Sequence, residues 1–231
     1  MESSSGQLDY RDVVVNKPWG YEYLMYENSC VSVWQMSIRH EQRTSMHCHP
    51  AKKTGIVLLS GEARVSFLND SIVIRPLAKL MIREGLFHST AALSPEGVVV
   101  IETETPSSKT NLVRLDDAYG REEKPYEGGE AISSWNENCL RLQETQQGRK
   151  NQYLHHGSLL TMEKLAESTE LIQKPPGEVV VVLEGGLFSR SGDPVLSPGD
   201  VISSETLGRL AERFSAPRGI SLLTIRKEAK G

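Results

Sequence analysis

Two stretches of the chain carry residues that bind metals. The first reads Ser45-Met46-His47-Cys48-His49, with Gly61 twelve residues beyond His49. The second reads Arg83-Glu84-Gly85-Leu86-Phe87-His88. Side chains alternate along a strand with period two, so a His-x-His pair sets two imidazoles on one face. A third imidazole, just past a glycine turn, closes the triangle from a neighbouring strand. Three neutral imidazoles suit a divalent transition metal such as Zn, Fe, Mn or Ni. Three protein ligands also leave coordination positions open, as a catalytic metal requires. The expected cofactor is therefore one such ion on His47, His49 and His88. Half of the chain's six histidines fall in this pattern, which separates them from a lone structural histidine. Cys48, between the first two, should face away from them and pack.

The elements that must position these residues read mostly as strands. Short runs rich in Val, Ile and Leu are punctuated by Gly, Pro, Asn and Asp. The runs are Cys30–Ile38, Gly55–Leu59, Ala63–Leu68, Ser71–Ile74, Gly97–Glu104, Glu178–Leu183 and Ile220–Ile225. Many short strands with regular turns predict an all-β barrel or sandwich. Helical periodicity is weak: Leu159–Ser168 is the best candidate, followed by Thr206–Phe214. An internal repeat is also visible. The run from Gly55 to Glu62 resembles the run from Glu178 to Gly186. Laying Gly61 on Gly185 puts His47 on Leu171, His49 on Gln173 and Thr54 on Glu178. The second copy thus lacks the histidines. Two units are expected, residues 1–125 with the metal and residues 126–231 without one, joined near Tyr119–Glu144. The adjacent pair His155-His156 faces opposite ways on a strand and is read as structural.

Composition narrows the function classes. The chain has 231 residues and a net charge of −4. That argues against a nucleic-acid or anionic-membrane surface, which needs a basic stripe. No apolar run reaches the length of a membrane helix. The N-terminal residues lack the basic and apolar regions of a signal peptide. Three cysteines are too few for a disulfide framework. A cytoplasmic protein with a small-molecule partner is expected. Long strand edges such as Glu178–Leu183 invite packing on the first unit or on a second copy, as in a homodimer.

The spacing of His47, His49, Thr54 and Gly61, then of Gly85 and His88, resembles the two motifs of the cupin family. The resemblance implies two tandem cupin-type β-barrels (double-stranded β-helix, or jelly roll), the second degenerate. The family's glutamate ligand is Thr54 here, so the ligand set becomes all nitrogen. A closer resemblance covers the first half. Lys17-Pro18-Trp19-Gly20-Tyr21-Glu22 is similar to the opening of type II mannose-6-phosphate isomerase domains. Ile101-Glu102-Thr103-Glu104, and the stretch from Asn111 through Arg114, Asp117 and Tyr119 to Arg121, are similar to that family's closing signature. The departures lie at the chemistry. His47 stands where that family has Gln, Lys52 where it has Arg, Thr54 where it has Glu, and Gly55-Ile56 where it has His-Trp.

Isomerisation needs a base beside a carbonyl carbon and an electrophile on the oxygen. Glu102, Glu104 and Lys52 are the expected catalytic residues, with Glu84 and His40 as further candidate bases. Arg39, Lys53 and Arg114 are the expected substrate anchors, since a phosphate needs a cation at the barrel mouth. Three readings compete. The resemblance and the metal favour an isomerase or epimerase of a sugar phosphate or nucleotide sugar. The three-histidine set also suits a non-heme Fe(II) oxygenase. The missing glutamate and the histidine-free second unit suit a non-catalytic, sugar- or metal-binding cupin.

Overall fold

In the computed structural model, which describes residues 9–108, 111–122, 124 and 126–228, the chain forms two antiparallel β-barrels in tandem. The strands of the first are β1 Val13–Lys17, β2 Gly20–Glu27, β3 Ser32–Ile38, β4 Met46–Cys48, β5 Lys53–Ser60, β6 Ala63–Ser66, β7 Ser71–Ile74, β8 Lys79–Ile82, β9 Ser89–Ala92, β10 Val98–Thr105, β11 Val113–Asp116 and β12 Ile132–Ser134. One large sheet runs β12-β1-β2-β3-β10-β5-β8. Facing it are β7-β6-β9 and the β4-β11 pair. Bridges from Arg43 to Ala91 and from His47 to His88 knit these two into one opposing layer. This is a double-stranded β-helix, closed around its own core.

The second barrel is smaller. It comprises β13 Lys150–His155, β14 Ser158–Leu165, α1 Thr169–Ile172, β15 Val179–Gly185, β16 Leu187–Phe188, β17 Pro194–Leu196, β18 Val201–Ser203, α2 Ser204–Ala211 and β19 Ile220–Lys227. Its large sheet runs β13-β14-β19-β15-β18, but the opposing layer shrinks to the β16-β17 ribbon. Helix α2 supplies the missing cover, burying Leu207 and Ala211 against Val180, Val182 and Leu222. Its start is fixed by the Ser203 hydroxyl, which accepts from the Thr206 amide. The second barrel is the degenerate one.

Period-two alternation assigns the two faces of each large sheet. In the first barrel Ile56, Leu58, Val98 and Val100 face inward. Val57, Leu59, Val99 and Ile101 face out, and there they meet Leu160, Met162, Val179, Val181, Leu223 and Ile225. The barrels therefore pack back to back across a shared apolar layer. Polar contacts rim it: Lys53 pairs with Asp200 at 2.7 Å, the Thr103 hydroxyl donates to the Gly199 carbonyl, and Lys227 donates to the Leu59 carbonyl.

One expectation changes. Leu159–Ser168, read as a helix, is largely strand β14, with Ala166–Ser168 beyond its end. Its straight-chain residues favour a helix, but pairing with β13 and β19 on both sides overrides local propensity. Thr206–Phe214 does overlap α2. Strand β12 pairs with β1, so Ile132–Ser134 extend the large sheet of the first barrel. No helix among the described residues is long and apolar enough to cross a membrane.

Candidate metal centre

Strand β4 is three residues long and lies between β9 and β11, with His47 opposite both His88 and Arg114. His47 and His49 point to one side, and Cys48 is buried on the other, where burial raises its thiol pKa. The loop carrying His88 is stapled to β4: Gly85 donates its amide to the His49 carbonyl at 2.9 Å, and His47 and His88 exchange backbone bonds. The three rings converge, with centroids 5.1, 4.5 and 5.8 Å apart. One ring nitrogen from each lies within 4.8 Å of the other two.

The hydrogen bonds decide which nitrogens converge. His47 Nδ1 donates to the Ser45 carbonyl at 2.8 Å, His49 Nδ1 to that of Asn111 at 2.7 Å, and His88 Nδ1 to that of Leu86 at 3.0 Å. With the proton on Nδ1, the lone pair sits on Nε2. Nε2 of His49 and of His88 is buried without a hydrogen-bond partner. Buried polar atoms are rarely left so, and an orphan is explained by an ion or water that completes it. All three rings are also kept neutral. Burial pulls the His47 pKa well below its ordinary value, helped by His88 and His49. Burial and the Lys52 charge bring His49 to about 4, and burial lowers His88. A neutral imidazole with its other nitrogen bonded to a carbonyl is the state that ligates metal. The donor set fits a divalent transition ion.

A cavity of about 560 Å³, its solvent-open mouth included, lies in front of the triad. Glu102 and Glu104 both line it, as does Lys52. Lys52 and Glu104 form an ion pair of 2.8 Å, with side chains 1% and 2% exposed. Losing either partner would leave a buried charge uncompensated, at a cost of about 3–5 kcal/mol. Arg114 also lines the cavity and lies 3.6 Å from Glu127. The remaining expected anchors are elsewhere. Lys53 points the opposite way on β5, toward Asp200 and Ser197 of the second barrel. Arg39 is exposed and donates to the Pro18 carbonyl. Glu84 is exposed, and His40 is exposed with its Nδ1 at the Ser94 carbonyl. Thr54 is fully buried on the inward face of β5, but does not line the cavity.

Sequence reasoning assigned no role to Lys17, Glu22, Arg121 and Tyr126, which all line the cavity. Lys17 pairs with Glu127 and, at 3.5 Å, with Glu22. Tyr126 donates to Glu22. Arg121 pairs with Asp117 at 2.7 Å and with Glu127 at 2.5 Å. The signal was present: the opening stretch Lys17–Glu22 and the closing stretch Arg114–Arg121 flank the barrel in sequence. The fold brings them together over one mouth.

No family model matches the chain, and no curated protein matches it. Solved structures with a similar fold include a protein with a double-stranded β-helix domain from Klebsiella pneumoniae, at 13% identity and a TM-score of 0.39, covering 48% of this chain and 90% of that one. KdgF from a Halomonas species is similar at 14% identity and a TM-score of 0.38, over 40% of this chain and 84% of its own. The capsular polysaccharide assembling protein CapF from Staphylococcus aureus is similar at 16% identity and a TM-score of 0.42, over 45% of this chain and 34% of its own. These likenesses each span less than half of this chain and carry nothing about what it does.

Proposed function

We propose that the first barrel is a divalent-metal centre that moves a proton on a small hydroxylated anion, as an isomerase or epimerase of a sugar phosphate or nucleotide sugar does. The observation that carries this is the triad itself: three neutral imidazoles, each with Nδ1 fixed on a carbonyl and Nε2 turned toward a cavity that also holds carboxylates and cations. A metal bound there supplies a Lewis acid for a carbonyl or hydroxyl oxygen. The protein's own groups do the rest. Glu104 holds the Lys52 ammonium in one place, so Lys52 is a fixed donor to a substrate oxygen. Glu102, on the same face of β10 two residues away, takes the proton from the adjacent carbon. Arg114, with Lys17 and Arg121, offers positive charge at the mouth for the anionic group.

The test is solvent exchange. Metal-loaded protein is incubated in D2O with a panel of aldose and ketose phosphates and nucleotide sugars, and deuterium at the carbon beside the carbonyl is read by NMR. Incorporation is expected, falling roughly a hundredfold or more in Glu102→Gln. Absence of exchange across the panel would overturn the reading. A second reading draws on the all-imidazole donor set left by Thr54, which suits an Fe(II) oxygenase. Oxygen uptake by iron-loaded protein, without deuterium exchange, is its signature.

A further inference from the structure

The second barrel has a mouth of its own. A groove of about 1050 Å³, open solvent included, lies at the end of its sheet that corresponds to the metal end of the first. The correspondence is a matter of register. Val100 pairs with Met36 in the first barrel, and Leu222 pairs with Glu163 in the second. Glu102 pairs with Trp34 and Ile56, and Thr224 with Thr161 and Val180. Glu163 therefore occupies the place of Met36, and Thr224 the place of Glu102.

A purely structural second barrel would have filled these positions with aliphatic side chains, as it does deeper down. Instead Thr161, Glu163, Glu178 and Thr224 are all buried there. The Glu163 side chain is 2% exposed and pairs with Lys174 and, at 3.3 Å, with Lys150. Arg149 and Arg226 complete the rim. Three carboxylates also line the groove, but that of Glu170 is spent on the amides of Ala166 and Glu167. Four cations thus face three carboxylates, with Arg226 3.9 Å from Glu178, and the groove keeps a net positive charge among threonine and glutamine side chains that suit hydroxyl groups.

We infer that this groove is a second binding site, for a small hydroxylated anion of the sugar-phosphate class, and that it binds without a metal. The anionic group meets Lys150 and Arg226 at the rim, and the hydroxyls meet Thr161, Thr224 and Gln173.

The probe is glucose 6-phosphate, with inorganic phosphate and glucose as its separated halves, titrated into the full chain after removal of metal by chelator. Amide and threonine-methyl NMR shifts report which barrel responds. Saturable shifts at Thr161 and Thr224 are expected, stronger with the whole ester than with either half. Lys150→Gln and Arg226→Gln, both at exposed positions, should each weaken them about fivefold. Glu163→Gln keeps the shape and releases the Lys174 charge, so binding of the ester should tighten while thermal stability falls. A merely structural ion pair would lose stability with binding unmoved. Shifts confined to the first barrel, no saturation by about ten millimolar, or indifference to all three substitutions would each overturn the site.

Discussion

In the first barrel, β5 turns at Gly61, where an added Cβ would meet the Gly97 carbonyl oxygen at 2.4 Å. In the second, β15 turns at Gly185, where it would meet that of Gly219 at 2.3 Å. Both glycines hold positive φ, +80° and +73°. The ladders beside them slip at the same place, between Val99 and Val100 and between Val182 and Glu184. The backbone device is thus repeated almost atom for atom, while the chemistry mounted on it is not. Where β4 carries His47, the second barrel has α1 and a fully buried Leu171. Where β9 follows His88, it has the cap formed by α2. A barrel keeps its shape through turns and register, and loses or gains a metal through a few short segments on the opposing layer.

The largest expected effect separates the two barrels outright. His49→Ala should take the protein from one equivalent of metal to essentially none by elemental analysis, because two imidazoles remain. A full equivalent retained would move the site elsewhere. Next comes the glycine pair. Gly61→Ala and Gly185→Ala should each cost about 2–4 kcal/mol in chemical denaturation, from positive φ plus the carbonyl clash. If the repeat is real in energy as in geometry, the two costs agree within about 1 kcal/mol, and only Gly61→Ala disturbs metal retention.

A smaller effect tests how far the barrels act as one. His155 of β13 reaches Gln35 of β3 at 2.5 Å and Tyr23 of β2 at 3.2 Å. Burial, then His156, lowers its pKa from 6.5 to about 4. The unfolded chain therefore binds this proton more readily, so the stabilisation is complete above pH 6.5 and drains away as pH falls toward 4. His155→Gln should flatten the urea midpoint between pH 7 and 5, and an unchanged slope would detach His155 from that loss. The smallest effect belongs to Lys53→Ala. Its pair with Asp200 is 25% and 22% exposed, so about 1 kcal/mol or less is expected in urea denaturation. A larger loss would mean that this pair is held more firmly than its exposure implies.

Much of this arrangement was legible in the sequence. The strand runs from Ser71 to Ile74 and from Ile220 to Ile225 were readable because alternation and turn residues mark them locally. The triad was readable because period two and one glycine turn fix its relative placement. Leu159–Ser168 misled because a central strand takes its conformation from neighbours far away in sequence. The same reason hid the direction of Lys53. Residues 52 and 53 are both cationic, and only the register of β5 against β10 shows that one enters the cavity and the other leaves it. Tyr126 could not be placed, since nothing near it in sequence announces that the chain returns over the mouth.

The carbonyls behind the histidines bear on how such a site survives mutation. Two of the three belong to residues only two positions before their histidine, Ser45 and Leu86. Substitution can replace a side chain, but it leaves the peptide carbonyl in place. The protonation pattern of His47 and His88 is thus written into the path of the main chain and is nearly immune to sequence drift. The third carbonyl, from Asn111, comes from a distant loop, which the Asn111 side chain holds by accepting from the Ala51 amide. Variation in that loop is where an inherited site of this kind can be retuned while its ligands stay the same.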